Sequence, residues 1–151
     1  MRNMITAGIV ACAMALTGCS QSGDAPDEGQ MIAQEQAQVA ALEGDAELVE
    51  RGERLFSSCS VCHSIDSDVP SPAGPHLEFV VGRGVGGVED YPYSPALTGS
   101  ADLWTVDNLG NFLRNPQEAY PGTAMAFAGI EDDADRQAVI AYLATLTGSD
   151  E

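Results

Sequence analysis

The sequence predicts an all-α domain, three main helices joined by irregular loops. Three observations predict it. Apolar residues recur at spacings of three and four in three separate stretches, the period of a helix with one buried face. Between Ile65 and Gly99 the chain is rich in Gly, Pro, Ser and Asp and keeps no period. The length, 151 residues, suits one small domain plus a targeting segment and is too short for two separate cores.

Charge narrows the possibilities further. Six basic residues, all Arg, face 23 acidic ones, for a formal net charge of −17. That excess argues against nucleic-acid or anionic-lipid binding, because like charges repel. Acidity can also accompany disorder, but 44% of the residues are hydrophobic and the periodic stretches are strong, so a folded core is expected.

Taken in order, residues 1–18 read as a targeting signal. Arg2 and the terminal amine precede an apolar stretch from Ile5 to Leu16. Such a stretch is too short for a bilayer core of roughly 30 Å. It ends in Leu16-Thr17-Gly18-Cys19, which resembles the lipobox of bacterial lipoproteins, where the Cys is acylated and becomes the mature N-terminus. An ordinary secretory signal with an incidental Cys is the plainer alternative. Cys12 would leave with the signal. Residues 19–44 then read as a lipidated Cys and an acidic, solvated tether. Good helix formers from Gln30 to Glu43, with Ile32, Val39 and Leu42 near one face, make part of it a helix candidate.

The domain is expected over 45–147, with 148–151 a short tail. Val49, Gly52, Phe56 and Cys59 mark one face of a first helix over about 46–58. Thr105 can cap a second, whose Val106, Leu109, Phe112 and Leu113 turn inward before Asn115-Pro116 stops it. Asp132 or Asp133 can cap a third, with Val139, Tyr142, Leu143 and Leu146 along its stripe. A 35-residue irregular stretch inside a small domain makes sense when it wraps a large rigid cofactor in place of a protein core.

Cys59-Ser60-Val61-Cys62-His63 is the signal for such a cofactor. Two thiols three positions apart can form thioether bonds to the two vinyl groups of a haem, and the adjacent His can offer a ring nitrogen to the iron. A thioredoxin-like redox pair and half of a zinc site are the rivals. A zinc site needs four N or S ligands, and once Cys19 carries lipid only His76 is left outside the motif. The redox pair wants a preceding strand, which the sequence lacks.

From Gly52 to Leu146 the chain resembles the class I cytochrome c family. Carrying the resemblance are Gly52 and Phe56, the attachment motif, Gly74-Pro75-His76-Leu77 and Gly82-Arg83. Tyr91-Pro92-Tyr93-Ser94, Trp104 and Asn115-Pro116 follow, then Tyr120-Pro121-Gly122-Thr123-Ala124-Met125, Phe127-Ala128-Gly129-Ile130 and Ile140-Ala141-Tyr142-Leu143. The resemblance implies the class I cytochrome c fold around one covalently attached haem c, with Cys59 and Cys62 as attachment points. It implies His63 and Met125 as axial iron ligands; core filling is the plain alternative for Met125. Both axial positions filled favours electron transfer over catalysis, so no catalytic residue is expected. It implies Pro75 as acceptor for the proximal His, Arg83, Tyr93 and Trp104 as propionate partners, and Thr123 in the haem pocket. For Trp104, plain core packing is the alternative.

Three departures stand out. Phe112 and Leu97 occupy positions where mitochondrial members carry Tyr and Asn, which predicts a drier pocket. Gln117, Glu118 and Ala124 replace members of the Lys ring at the haem edge. His76, where the family commonly has Asn, is a candidate for a supporting or surface role, or an alternative sixth ligand.

The expected protein is therefore a monomeric electron carrier and not an enzyme, lipid-anchored on the periplasmic side of a bacterial membrane. The resemblance implies a quinol–cytochrome c oxidoreductase as donor and a terminal oxidase or photosynthetic reaction centre as acceptor, partners that would have to accept an acidic face. An accessory haem subunit of a periplasmic dehydrogenase or peroxidase is the alternative; a ligand-binding haem sensor would require a displaceable Met125.

Overall fold

A computed structural model of the chain describes residues 27–146. The expected signal over 1–18 with Cys12, the lipidation site Cys19 and the tail 148–151 lie outside the described residues. Among the described residues six helices follow one another: α1 Glu28–Glu43, α2 Ala46–Phe56, α3 Pro95–Thr98, α4 Val106–Arg114, α5 Pro116–Ala119 and α6 Asp133–Ala144. Among the described residues there is no strand, only one isolated antiparallel bridge between Gly84 and Leu103. No described helix is long and apolar enough to cross a membrane. The all-α expectation is met, with α2, α4 and α6 as the three main helices.

Their caps explain where they begin. Asp45 accepts the Leu48 N–H at 3.0 Å, Thr105 the Asn108 N–H at 3.1 Å and Asp132 the Asp135 N–H at 2.9 Å. Each side chain satisfies a backbone donor that has no partner within its helix. Asp132, not Asp133, caps α6. Asn115 adopts extended geometry ahead of Pro116, which ends α4 and opens α5.

The core lies between α2, α4 and α6. Gly52 brings α2 against the α6 backbone: a Cβ built there would stand 1.9 Å from the Ala138 carbonyl oxygen. Phe56 stacks at a tilt on Tyr142, centroids 5.3 Å apart. Val139 and Ile140 are essentially sealed from solvent, as are Ala138, Ala141 and Ala144. Arg136 is buried with them and is paired. Its guanidinium donates to the Ile130 and Glu131 carbonyls at 2.7 and 2.8 Å and pairs with Asp133. The buried charge and three of its N–H groups thus find partners at the start of the helix and in the loop before it.

Residues 19–44 behave differently from a free tether where they are described. α1 is one continuous helix that lies across α6 and touches α2 and α4. Val39 and Leu42 pack on the core, and the Glu35 carboxylate accepts the Val106 N–H at 2.7 Å. A side chain from α1 therefore joins Thr105 in capping α4. The packed body begins before residue 45: of the three residues expected near one face of the helix, Val39 and Leu42 find an apolar seat and Ile32 stays exposed.

Candidate cofactor site

The site starts where α2 stops. Cys59 N–H donates to the Phe56 carbonyl at 2.8 Å, and the Cys62 and His63 N–H groups both reach the Cys59 carbonyl at 3.0 Å. These bonds wind 59–63 into consecutive turns that hold two cysteines and a histidine on one short piece of backbone. Neither Cys is in a disulfide; Cys59 is half-buried and Cys62 exposed. Among the described residues no cluster of three or more His, Cys, Asp or Glu could hold a metal ion. The zinc reading therefore lacks its further ligands, and with no described strand ahead of Cys59 the redox-pair reading lacks its context.

His63 is oriented by the loop that returns past it. Its Nδ1 lies 2.7 Å from the Pro75 carbonyl, and a carbonyl only accepts, so Nδ1 carries the proton. Nε2 is left with its lone pair, the form that binds a metal. Burial holds the imidazole's pKa below its ordinary value, partly opposed by the bond to Pro75. Gly74 makes the approach possible: a Cβ there would sit 2.2 Å from His63 Cε1. The Ala73 and Gly74 N–H groups return to the Cys62 carbonyl at 3.2 and 2.7 Å, which closes the loop onto the motif.

The 76–94 segment forms a second wall. Arg83 donates from its two terminal nitrogens to the Glu78 and His76 carbonyls, both at 2.9 Å. Its Nε, the Ser94 hydroxyl and His76 Nδ1 are buried without a partner. Buried polar atoms are normally satisfied, and three orphans on one loop mark a cradle shaped around a group it does not itself contain. Arg83 Nε and the Ser94 hydroxyl are donors, which suits carboxylates. Burial lowers the Arg83 pKa and raises that of Tyr93, which interacts with it electrostatically. Trp104 is buried and packs at 4.9 Å on Phe112 and 5.7 Å on Tyr120. Its ring packs within the core cluster.

The third wall carries Met125. Gln117 donates from its side-chain amide to the Thr123 carbonyl at 2.8 Å, and the buried Thr123 returns its N–H to Tyr120 at 3.0 Å. Its hydroxyl accepts the Met125 N–H at 3.4 Å. Met125 is half-buried against the cluster containing Leu97 and Phe112, both apolar and sealed. Gln117, Glu118 and Ala124 are exposed.

Sequence reasoning passed over two features. Ser94 stands beside Tyr93, and its neighbour could have flagged it. Asp102 accepts the Tyr120 hydroxyl at 3.0 Å across 18 residues, and no spacing rule points to such a pair.

A residue chemistry of this kind fits haem. Paired thiols, a neutral imidazole, unused donors and an apolar floor with a thioether match its vinyls, iron, propionates and macrocycle in turn. Comparisons with known proteins point the same way. The model of the family described as "Cytochrome c" matches residues 49–147. A "Cytochrome c homolog" of Rickettsia felis is 44% identical over 96 residues, which cover 64% of this chain and 55% of that relative. The chain thus spans about half the length of such bacterial relatives. The "Cytochrome c" of Euglena viridis is 47% identical over 104 residues, 68% of this chain and 98% of its own. Among solved structures, cytochrome cH from Methylobacterium extorquens superposes with a TM-score of 0.60 at 37% identity, covering 64% of this chain and 97% of that one.

Proposed function

The chain belongs to the cytochrome c family, and from that premise we propose that it is a lipid-anchored periplasmic cytochrome passing single electrons through a His63/Met125-ligated haem. Membership brings the class I fold, one covalently attached haem c with its iron, and the role of a c-type electron carrier. Haem supplies a one-electron iron couple when bound. Everything else falls to the chain's own side chains.

Cys59 and Cys62 would hold the macrocycle covalently from the turn after α2. His63 offers Nε2, and the Nδ1–H to Pro75 bond fixes its tautomer and ring plane. Met125 offers a thioether, a soft donor that favours the ferrous state and raises the potential relative to harder ligands. Arg83 and Ser94 have unused donors for the propionates; Tyr93 sits beside Arg83, and Trp104 and Thr123 complete the pocket. Leu97 and Phe112 keep water away from the thioether side. The observation that carries the reading is the Nδ1–Pro75 bond on the same short turn as both cysteines: it prepares a metal-ready nitrogen where the covalent anchors are.

The outer assignments rest on sequence. Cys19 would carry the lipid, on the periplasmic side of a bacterial membrane. A quinol–cytochrome c oxidoreductase would donate, and a terminal oxidase or reaction centre would accept, the tether raising the local concentration. A Cys19→Ser protein should leave the membrane fraction.

Absorption spectra of the purified protein in both oxidation states, with and without CO, test the core. The expected result is haem that stays bound after denaturation, no CO adduct in the native protein, and a far-red Met–iron band in the ferric state. Met125→Ala should lose that band and bind CO. A native protein that binds CO readily would overturn the His/Met assignment and favour an open iron site.

A further inference from the structure

The loop that carries Met125 is short of polar support from its own floor, since Phe112 and Leu97 provide none. Support reaches it from outside. Tyr120 donates its hydroxyl to Asp102 Oδ2 at 3.0 Å, and Ser100 donates to the same oxygen at 2.7 Å. Tyr120 in turn accepts the Thr123 N–H through its carbonyl, and Thr123 accepts the Met125 N–H through its hydroxyl. Three hydrogen bonds, joined through the covalent frames of Tyr120 and Thr123, therefore link the Asp102 carboxylate to the backbone of Met125. The Tyr120 ring is held between Trp104 at 5.7 Å and Phe112 at 5.9 Å, so its hydroxyl has little choice of direction.

Asp102 is itself pinned to the opposite wall. Its carbonyl accepts the Val85 N–H at 2.9 Å, beside the Gly84–Leu103 bridge, and Trp104 N–H donates to the Arg83 carbonyl at 2.8 Å. The backbone that bears the carboxylate is thus one piece with the backbone that bears Arg83. We infer that Asp102 is a positioning residue for Met125, its carboxylate tying the Met125 loop, through Tyr120, to the Arg83 wall of the cradle. The inference rests on the reading of Met125 as an iron ligand.

The surroundings fit a fixed carboxylate. Asp102 and Tyr120 share a cleft of about 320 Å³ with Asn108, Asn111, Arg114 and Glu118. Bonds from Ser100 and Tyr120 hold the Asp102 carboxyl below the usual carboxylate range, so it stays an anion and a strong acceptor at neutral pH. Arg114 brings a positive charge to the cleft and Glu118 a negative one. Glu118 is tied to Asn115, whose side-chain amide donates to it at 3.3 Å.

The test uses the full-length ferric haem protein and imidazole, which competes with a thioether for iron. Asp102→Ala and Tyr120→Phe should each raise imidazole affinity roughly two- to fivefold, as loss of an exposed hydrogen bond allows. The double variant should gain little beyond either single one, because both remove the same link. Asp102→Asn keeps an acceptor oxygen and should return most of the native affinity. Tyr120→Phe keeps the ring packing, so it reports on the link even where Asp102→Ala folds poorly. Native affinity and an unchanged far-red band in both single variants would overturn the inference, as would single effects that multiply in full. A native protein without that band, with Met125→Ala binding imidazole no more tightly, would instead overturn the ligand assignment beneath it.

Discussion

The α2–α6 pair and the loop from 65 to 99 belong to one small body but are held by different physics. In the pair, Gly52 lets two backbones meet, Val139 and Ile140 of α6 are sealed in the core, and the buried Arg136 is held by two carbonyls and a carboxylate. In the loop, Ile65, Val69 and Phe79 are exposed, and buried atoms of His76, Arg83 and Ser94 lack partners. Val80, Val85 and Leu97 pin it to the core at intervals. The frame closes on itself, whereas the loop leaves buried polar atoms open, as a loop wrapping the proposed haem would. Substitutions in the frame should therefore cost stability, and substitutions in the loop should show first at the iron.

Gly52→Ala is the most severe way to break the frame. The added methyl has backbone on its far side and cannot be accommodated by a rotamer change, so a loss of about 3 kcal/mol is expected in guanidinium unfolding of the haem protein. Near-native stability would mean that α2 and α6 have room to part. Gly74→Ala sharpens the contrast. Its methyl meets the His63 ring, a side chain, so unfolding should change by only about 1–2 kcal/mol. The visible spectrum and midpoint potential should shift, because the ring must leave the Pro75 carbonyl. A larger stability loss than for Gly52→Ala, with an unaltered spectrum, would reverse the division proposed above.

Native-state hydrogen exchange reads the same contrast without mutation. Amides of α2 and α6 should be the slowest in the protein and those of 65–75 among the fastest. Equal protection in both would argue that haem stiffens the loop to the level of the frame.

Acid should act on the loop and its margin before the frame, with the smallest effect of all. Hydrogen bonds from the Ser67 hydroxyl and backbone hold Glu78 below the ordinary carboxylate range, and bonds from Ser100 and Tyr120 do the same for Asp102. A carboxylate with a depressed folded pKa contributes fully above its unfolded value, and the contribution is lost as pH falls through the depressed one. Local signals from Tyr120 and the 67–78 segment should thus move below the usual carboxylate range while far-ultraviolet helicity persists. Simultaneous loss of both would place the acid-sensitive groups in the frame.

How much of this was legible depends on range along the chain. The stripes of α2, α4 and α6, the caps Asp132 and Thr105, and the pairing of Cys59, Cys62 and His63 all lie within a few residues, where period and spacing speak directly. The seat of α1 was hidden, because Glu35 caps α4 across 71 residues and its helix has little amphipathic contrast of its own. Asp102 was hidden for the same reason.

The opening fold class, three helices with irregular loops around haem, came from local chemistry. Helix period, capping oxygens and the five-residue attachment motif are properties of neighbouring residues, and a single chain displays them in full. Tertiary structure alone decided which nitrogen of His63 is free, which donors of the loop wait for a partner, and that Asp102 reaches the Met125 loop. Those depend on directions and distances between segments, and packing sets them only when the chain has closed.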